Sequence, residues 1–170
     1  MMFTIGPAQV GDLETIVTTM RANRPDPSLF QQPRTQLARH LGEFLVARAN
    51  GDPLGSLQLH RHPGGSVEIL AVSVDPRRQG EGVGTALLRV AIEQASALAE
   101  GRVWLSTAKP DCFARLGFVP MSRWSLPLVV LLGKLPGVLQ QPIRRWLPSV
   151  FGRHVFMCLP VEQDDGALPR

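Results

Sequence analysis

The chain reads as one mixed α/β domain, with a mostly antiparallel central sheet that carries one parallel strand pair and is flanked by helices. Three observations predict it. Short β-branched and apolar runs over 43–48, 54–60 and 67–74 are separated only by turn sequences, so they form antiparallel neighbours. The third run passes through a glycine-rich turn into a helical pattern over 82–98, then a further strand over 102–106; a helix joining two strands of one sheet makes them parallel. Apolar residues at three- and four-residue spacing near the amino terminus and over 82–98 give each helix one face for the sheet.

In order, a short strand is expected over 3–5, after which Pro7 suits the first turn of a helix running to about Arg21. Val10, Leu13, Ile16, Val17 and Met20 form its apolar face. Arg24-Pro25-Asp26-Pro27-Ser28 breaks the pattern, and a shorter helix follows Pro33 over 34–41. Asn50-Gly51-Asp52-Pro53 is a hairpin turn, and His62-Pro63-Gly64-Gly65 is a second turn. The helix over 82–98 carries Val83, Leu87, Val90, Ala91, Gln94 and Leu98 on one face, with Gly101 as the expected C-cap. A short helix opening at 107–111 and ending near Gly117, a strand over 118–121 and a final strand over 154–160 complete the sheet. Between the last two, about 122–152 is insertion-like. Its run Leu126-Pro127-Leu128-Val129-Val130-Leu131-Leu132 is too short to cross a bilayer and suits a cover for the core or a pocket. The tail from Glu162 is expected to fray.

At 170 residues, 44% apolar and 19% charged, the chain suits a single domain spanning 1–170, with a core that needs no disulfide or metal. Its net charge of +4 is scattered, with adjacent basic residues only at Arg77-Arg78 and Arg144-Arg145, which speaks against a nucleic-acid surface. Two cysteines and four scattered histidines offer no metal-ligand spacing, so a reduced, metal-free protein is expected, with the thiols of Cys112 and Cys158 filling core space. The first residues lack a basic region followed by an apolar run, and a cytoplasmic location is the default expectation.

Chemistry concentrates after the strand at 67–74. Asp75-Pro76 ends it, and Arg77-Arg78-Gln79-Gly80-Glu81-Gly82-Val83-Gly84 leads to a helix start. Glycines let backbone approach a ligand, and the free amides and dipole of the helix favour an anion. A P-loop would need Gly-Lys-Ser/Thr, and the dinucleotide fingerprint would need G-x-G-x-x-G with a later acidic residue; neither pattern is met.

Gln79-Gly80-Glu81-Gly82-Val83-Gly84 resembles the acetyl-coenzyme A signature of the GNAT N-acetyltransferase superfamily, and Cys112-Phe113-Ala114-Arg115-Leu116-Gly117-Phe118 is similar to its second landmark, an aromatic pair followed by Gly-Phe. The two occur in the right order and at the usual separation. The resemblance implies that the parallel pair is splayed and that acetyl-CoA, as co-substrate, lies in the opening. Val72, Ser73 and Val74 would then pair with its pantetheine arm, and an amide near Val72 would steady the oxyanion. Gln79, Gly80, Glu81, Gly82, Val83, Gly84 and Thr85 would surround the pyrophosphate, and Arg77 or Arg78 would meet the ribose phosphate. Thr107 and Phe113 are carried over as further cofactor contacts.

Glu68 is the leading general base, since related enzymes often place an acidic residue near the start of this strand. Strict alternation puts it on the same side as Leu70 and Val72; the rival role is a structural carboxylate held by Arg61 or Arg102. Many relatives use a tyrosine of the second landmark as acid, but Phe113 stands there and the chain has no tyrosine. Ser106, Thr107, Cys112, a water or unaided departure of the thiolate are the substitutes. His60 and His62 read as surface histidines of a hairpin end, with an acceptor-facing role as the lesser alternative. Arg24, Arg34 and Arg39 read as solvated, or as ligands for an acidic acceptor.

Over about 44–120 the chain is also similar to bacterial amino-acid N-acetyltransferase domains, such as those of N-acetylglutamate synthases, in which phenylalanine likewise replaces the tyrosine. The function expected is acetyl transfer from acetyl-CoA to the primary amine of a small molecule. The alternatives are an acyl-CoA-binding sensor of little or no activity and a protein-amine acetyltransferase. Trp124 and Trp146 suit either a pocket cap or a homodimer contact.

Overall fold

The computed structural model describes residues 2–23, 33–122, 125 and 155–160. Arg24, the apolar run at 126–132, Trp124, Trp146 and the tail from Glu162 lie outside them. Strand β1 (Thr4–Pro7) leads through a 3-10 turn (Val10–Asp12) into helix α1 (Leu13–Ala22). Helix α2 (Arg34–Arg39) and a second such turn (Leu41–Glu43) precede strands β2 (Phe44–Ala49), β3 (Asp52–Arg61) and β4 (Val67–Val74). A third 3-10 turn (Pro76–Arg78) leads to helix α3 (Val83–Leu98). Strand β5 (Val103–Thr107), helix α4 (Pro110–Ala114) and strands β6 (Val119–Pro120) and β7 (Val155–Cys158) follow. The sheet order is β1-β2-β3-β4-β5-β7-β6, and among the described strands only β4 and β5 run parallel. The mixed, mostly antiparallel sheet with one parallel pair is the expected fold.

Each face of the sheet buries its own core. Toward α3, Leu45, Leu57, Val67, Ile69 and Leu105 pack with Val83, Leu87, Ala91 and Ala95. Toward α1 and α2, Phe44 and Val46 meet Ile16, Val17, Met20 and Leu37. Phe44-Leu45-Val46-Ala47 feeds both cores alternately, which is why a strand covered on both sides reads as a continuous apolar run.

Several local expectations are corrected. Pro7 does not start a helix: it ends β1 opposite Leu45. The buried Asp12 carboxylate accepts from Arg48 Nη2 and from the Gln9 amide, which holds the chain in a tight turn so that α1 starts only at Leu13. Val10 is consequently exposed and not part of the apolar face. On α3 the last turn overruns the sheet, so Leu98 is exposed and Gln94 lies outside the buried set, in which Leu88 and Ala95 take their place. The C-cap is Ala99 in an extended conformation, not Gly101; Gly101 lies instead against the backbone of Gly64 and Ser66.

Two irregularities in β4 shape the site. Ser56 pairs with Ser73 but Gln58 pairs with Leu70, so the single residue Leu57 faces both Ala71 and Val72, and Ala71 adopts φ 56°. Such a bulge shifts the pleat by one residue. Val67 and Ile69 face the α3 core before it, and Val72 and Val74 after it. Glu68 and Val72 therefore lie on opposite faces, contrary to simple alternation. Second, β4 and β5 pair only at Val67 with Val103 and at Glu68 with Trp104, and then part. From Ile69 onward the edge of β4 toward β5 has no strand partner among the described residues, so the pair is splayed into a fork.

Candidate active site

The far end of the fork is built mainly from backbone. Asp75 closes β4 as its carboxylate accepts from Arg77 through the amide at 3.0 Å and the guanidinium at 3.1 and 2.7 Å. Those bonds hold the Asp75 carboxyl below its ordinary range. Gly80 and Gly82 then take φ of 84° and 82°, and a Cβ at either would meet nothing within 4 Å. Conformation, not crowding, requires glycine there, and the space above the loop is open. Gly82 is the N-cap of the sixteen-residue α3, whose first amides lack intrahelical partners. An anion resting on Val83, Gly84 and Thr85 would meet those amides and the positive end of the helix. The unpaired edge of β4 runs toward this cradle, so the site fits a ligand with an anionic head and an amide-bearing arm that pairs like a strand.

Side chains near the loop take more specific places. Arg78 pairs with Glu81 at 3.1 Å, while Arg77 extends into solvent beside Asp75. Gln79 donates to Asn23 Oδ1 at 2.8 Å, and Asn23 Nδ2 donates to the Val74 carbonyl at 2.9 Å, to Ser73 Oγ at 3.1 Å and to Thr19 O at 2.8 Å. Asn23 ties the end of α1 to β4 and to the glycine loop. A lone asparagine after a helix carries no motif, so nothing in the sequence marks Asn23 as part of the site. This contact also occupies the Val74 carbonyl, one of the backbone groups expected to be open.

The closed end of the fork is built from side chains. Glu68, 4% exposed, sits where β4 and β5 last pair, and its Oε2 accepts from His62 Nε2 at 2.9 Å. Of the two arginines considered for that role, Arg61 pairs with Glu100 instead. The His62 ring is stacked on the fully buried Trp104 at 5.4 Å and meets His60 edge-on at 4.7 Å. His60 in turn donates to Glu43 Oε2 at 2.9 Å, and His40 to Glu43 Oε1 at 2.8 Å. The surface reading fails for His62, whose side chain is 10% exposed, while His60 is half-buried. His60 pairs with Glu68 across β3 and β4 and shares its face, and the turn at Gly64 and Gly65 folds His62 back over the same place. No spacing rule would have joined His40, Glu43, His60, His62 and Glu68, which come from four elements and turns.

The second landmark lies on α4. Phe113 packs edge-to-face on Phe118 at 6.1 Å, against the α3 core. Thr107 is buried, and its Oγ1 accepts from the Lys109 amide at 3.0 Å. Cys112 is exposed, correcting its assignment to the core, whereas Cys158 is buried beside Trp104. Arg34 pairs with Glu14 at the exposed surface, and Arg39 is exposed.

A forked parallel pair with a helix N-terminus at its open end and a buried carboxylate at its crotch suits an acyl-CoA-dependent acyltransferase, and the family match bears out that class. Residues 12–118 match the model of the acetyltransferase (GNAT) family, and the chain belongs to that family of N-acetyltransferases. Among solved structures, N-acetylglutamate synthase from Neisseria gonorrhoeae, complexed with coenzyme A and N-acetyl-glutamate, aligns at TM-score 0.75 and 23% identity over 96% of this chain and 36% of that one. The chain thus spans little more than a third of that synthase. Rv2747 from Mycobacterium tuberculosis, in complex with CoA, aligns at 0.74 and 23% identity, covering 93% of this chain and 99% of that one. The ribosomal-protein-S18-alanine N-acetyltransferase from Escherichia coli aligns at 0.66 and 19%, over 99% and 100%. No helix among the described residues is long and apolar enough to cross a membrane.

Proposed function

We propose that this chain moves an acetyl group from acetyl-CoA directly to the primary amine of a small molecule, with Glu68 as the general base. The observation that carries this reading is the Glu68–His62 pair at the crotch of the fork, next to the edge that would hold the thioester. The carboxylate fixes the Nε2–H of His62, which leaves Nδ1 of the neutral ring as its proton acceptor. Glu68 is too buried to meet an amine in solvent, so His62 carries the proton between the acceptor and the carboxylate. The Val72 amide is assigned to the thioester carbonyl, and the amides of Gly80 to Thr85 to the pyrophosphate, beside Arg78. Phe113 packs against the core and supplies no proton; the thiolate, whose pKa resembles that of cysteine, leaves unaided or through water.

A small acceptor is favoured by the confined, mostly buried setting of Glu68 and His62, and by the N-acetylglutamate synthase whose structure holds N-acetyl-glutamate together with coenzyme A. The S18-alanine enzyme, which matches this chain over its full length, favours a protein amine as the second reading. Release of free thiol from acetyl-CoA, followed with a panel of amino acids, polyamines and amino-terminal peptides, tests both. Release with a small amine supports the proposal, and release with peptides alone moves the assignment to protein amines. Coenzyme A binding without release for any amine leaves a sensor and removes the enzymatic reading.

A further inference from the structure

Next to the Glu68–His62 pair lies a group of side chains that acetyl transfer does not use. His40 follows α2, and Glu43 ends the 3-10 turn after it, so that the i, i+3 spacing stacks both on one side of the turn. Their backbone closes the turn, with Glu43 N donating to His40 O at 2.9 Å. His60 arrives from β3, two residues beyond Gln58 and therefore on the same face. Each Glu43 oxygen accepts from one imidazole Nδ1, at 2.8 Å from His40 and 2.9 Å from His60.

We propose that His40, Glu43 and His60 bind a divalent transition-metal cation of the zinc type. One ligand atom from each residue lies within 4.8 Å of the other two. Two imidazole nitrogens and one carboxylate oxygen form a donor set that suits zinc, nickel or copper, whereas magnesium and calcium require oxygen ligands. Ligands about 2.1 Å from a common tetrahedral cation lie roughly 3.4 Å apart, so the two hydrogen-bonded contacts open by about half an ångström while the widest separation in the group, within 4.8 Å, closes by side-chain rotation. The cation takes the place of the two Nδ1 protons that now bridge to the carboxylate; in a neutral ring that proton moves to Nε2, and only a protonated ring releases one. The three side chains are 34%, 30% and 31% exposed, which gives a cation access from solvent and leaves a coordination position for water. Gln58 Nε2 donates to Glu43 Oε2 at 2.6 Å and holds the carboxylate in place, the usual outer support of a metal ligand.

The test is a calorimetric titration of chelator-stripped protein with zinc sulfate, without acetyl-CoA, beside His40→Gln and His60→Gln. One zinc per chain is expected, with each substitution weakening binding at least tenfold and magnesium chloride giving no binding. Cobalt(II) added to the wild-type protein is expected to give the intense visible bands of a four-coordinate ion. Absence of saturable zinc binding, or affinities within twofold of wild type in both variants, overturns the site. If a variant fails to fold, the cobalt spectrum of the wild type decides, and bands of six-coordinate cobalt alone overturn it. Because acetyl-CoA is absent, failure here leaves the acetyl-transfer proposal untouched.

Discussion

The two ends of the β4–β5 fork are made of different material. Toward α3 the groups that matter are amides, an unpaired strand edge and two glycines in the left-handed region. At the crotch they are side chains, Glu68 and His62 against Trp104, fixed by packing and hydrogen bonds. A backbone-built end tolerates many side chains but is sensitive to conformation. The side-chain-built end is sensitive to the identity of single atoms. Substitutions at the two ends should therefore separate binding from turnover.

The largest expected effect is at the crotch. Glu68→Gln should lower kcat/KM by about 100-fold or more, with coenzyme A affinity within twofold of wild type. His62→Asn should lower it similarly, and the double variant should be little worse than the worse single one, because the pair acts as a unit. Steady-state kinetics beside calorimetry checks this; additive losses would break the unit. Next, Gly82→Ala should force a side chain into the left-handed region at about 1–2 kcal/mol, or about 5- to 30-fold in coenzyme A affinity, with kcat preserved. A fall in kcat at saturating acetyl-CoA would show that the ends are not separable.

Asn23→Ala sharpens the comparison between them. It removes the clamp on the Val74 carbonyl and Gln79 and should cost about 1–3 kcal/mol of stability by urea unfolding, with coenzyme A affinity falling more than kcat. The smallest effect belongs to Asp75→Asn. The folded Asp75 carboxyl is held below its ordinary value by Arg77, so its contribution is present above the unfolded carboxylate pKa of about 3.9 and is lost as pH falls through the lower folded value. Wild type and variant should differ slightly near neutral pH and converge in acid, as followed by thermal melts across pH.

The same contrast explains what could be read in advance. Gly80 and Gly82 carry their conformation in their identity, and the strand, glycine loop, helix and strand order implies a parallel pair, so the cradle and sheet were legible. The bulge at Ala71 was not, because an alanine within an apolar run gives no local sign of a positive φ. The orientation of His62 was hidden for the opposite reason: a turn rich in proline and glycine pointed to the surface, while burial comes from Trp104, forty-two residues later in the chain. Asn23 and the meeting of His40, Glu43 and His60 likewise arise from tertiary placement, which periodicity does not encode.

The bulge gives β4 two spatial reading frames. Deleting Ala71 would close that frameshift: strict alternation would then keep Val67, Ile69, Val72 and Val74 on the α3 side, with Leu57 opposite Val72 alone and no residue at positive φ. The side chains would stay on their faces while the open edge of β4 became one residue shorter, so the change would act on the backbone groups of that edge and spare the pairing at Val67 and Glu68.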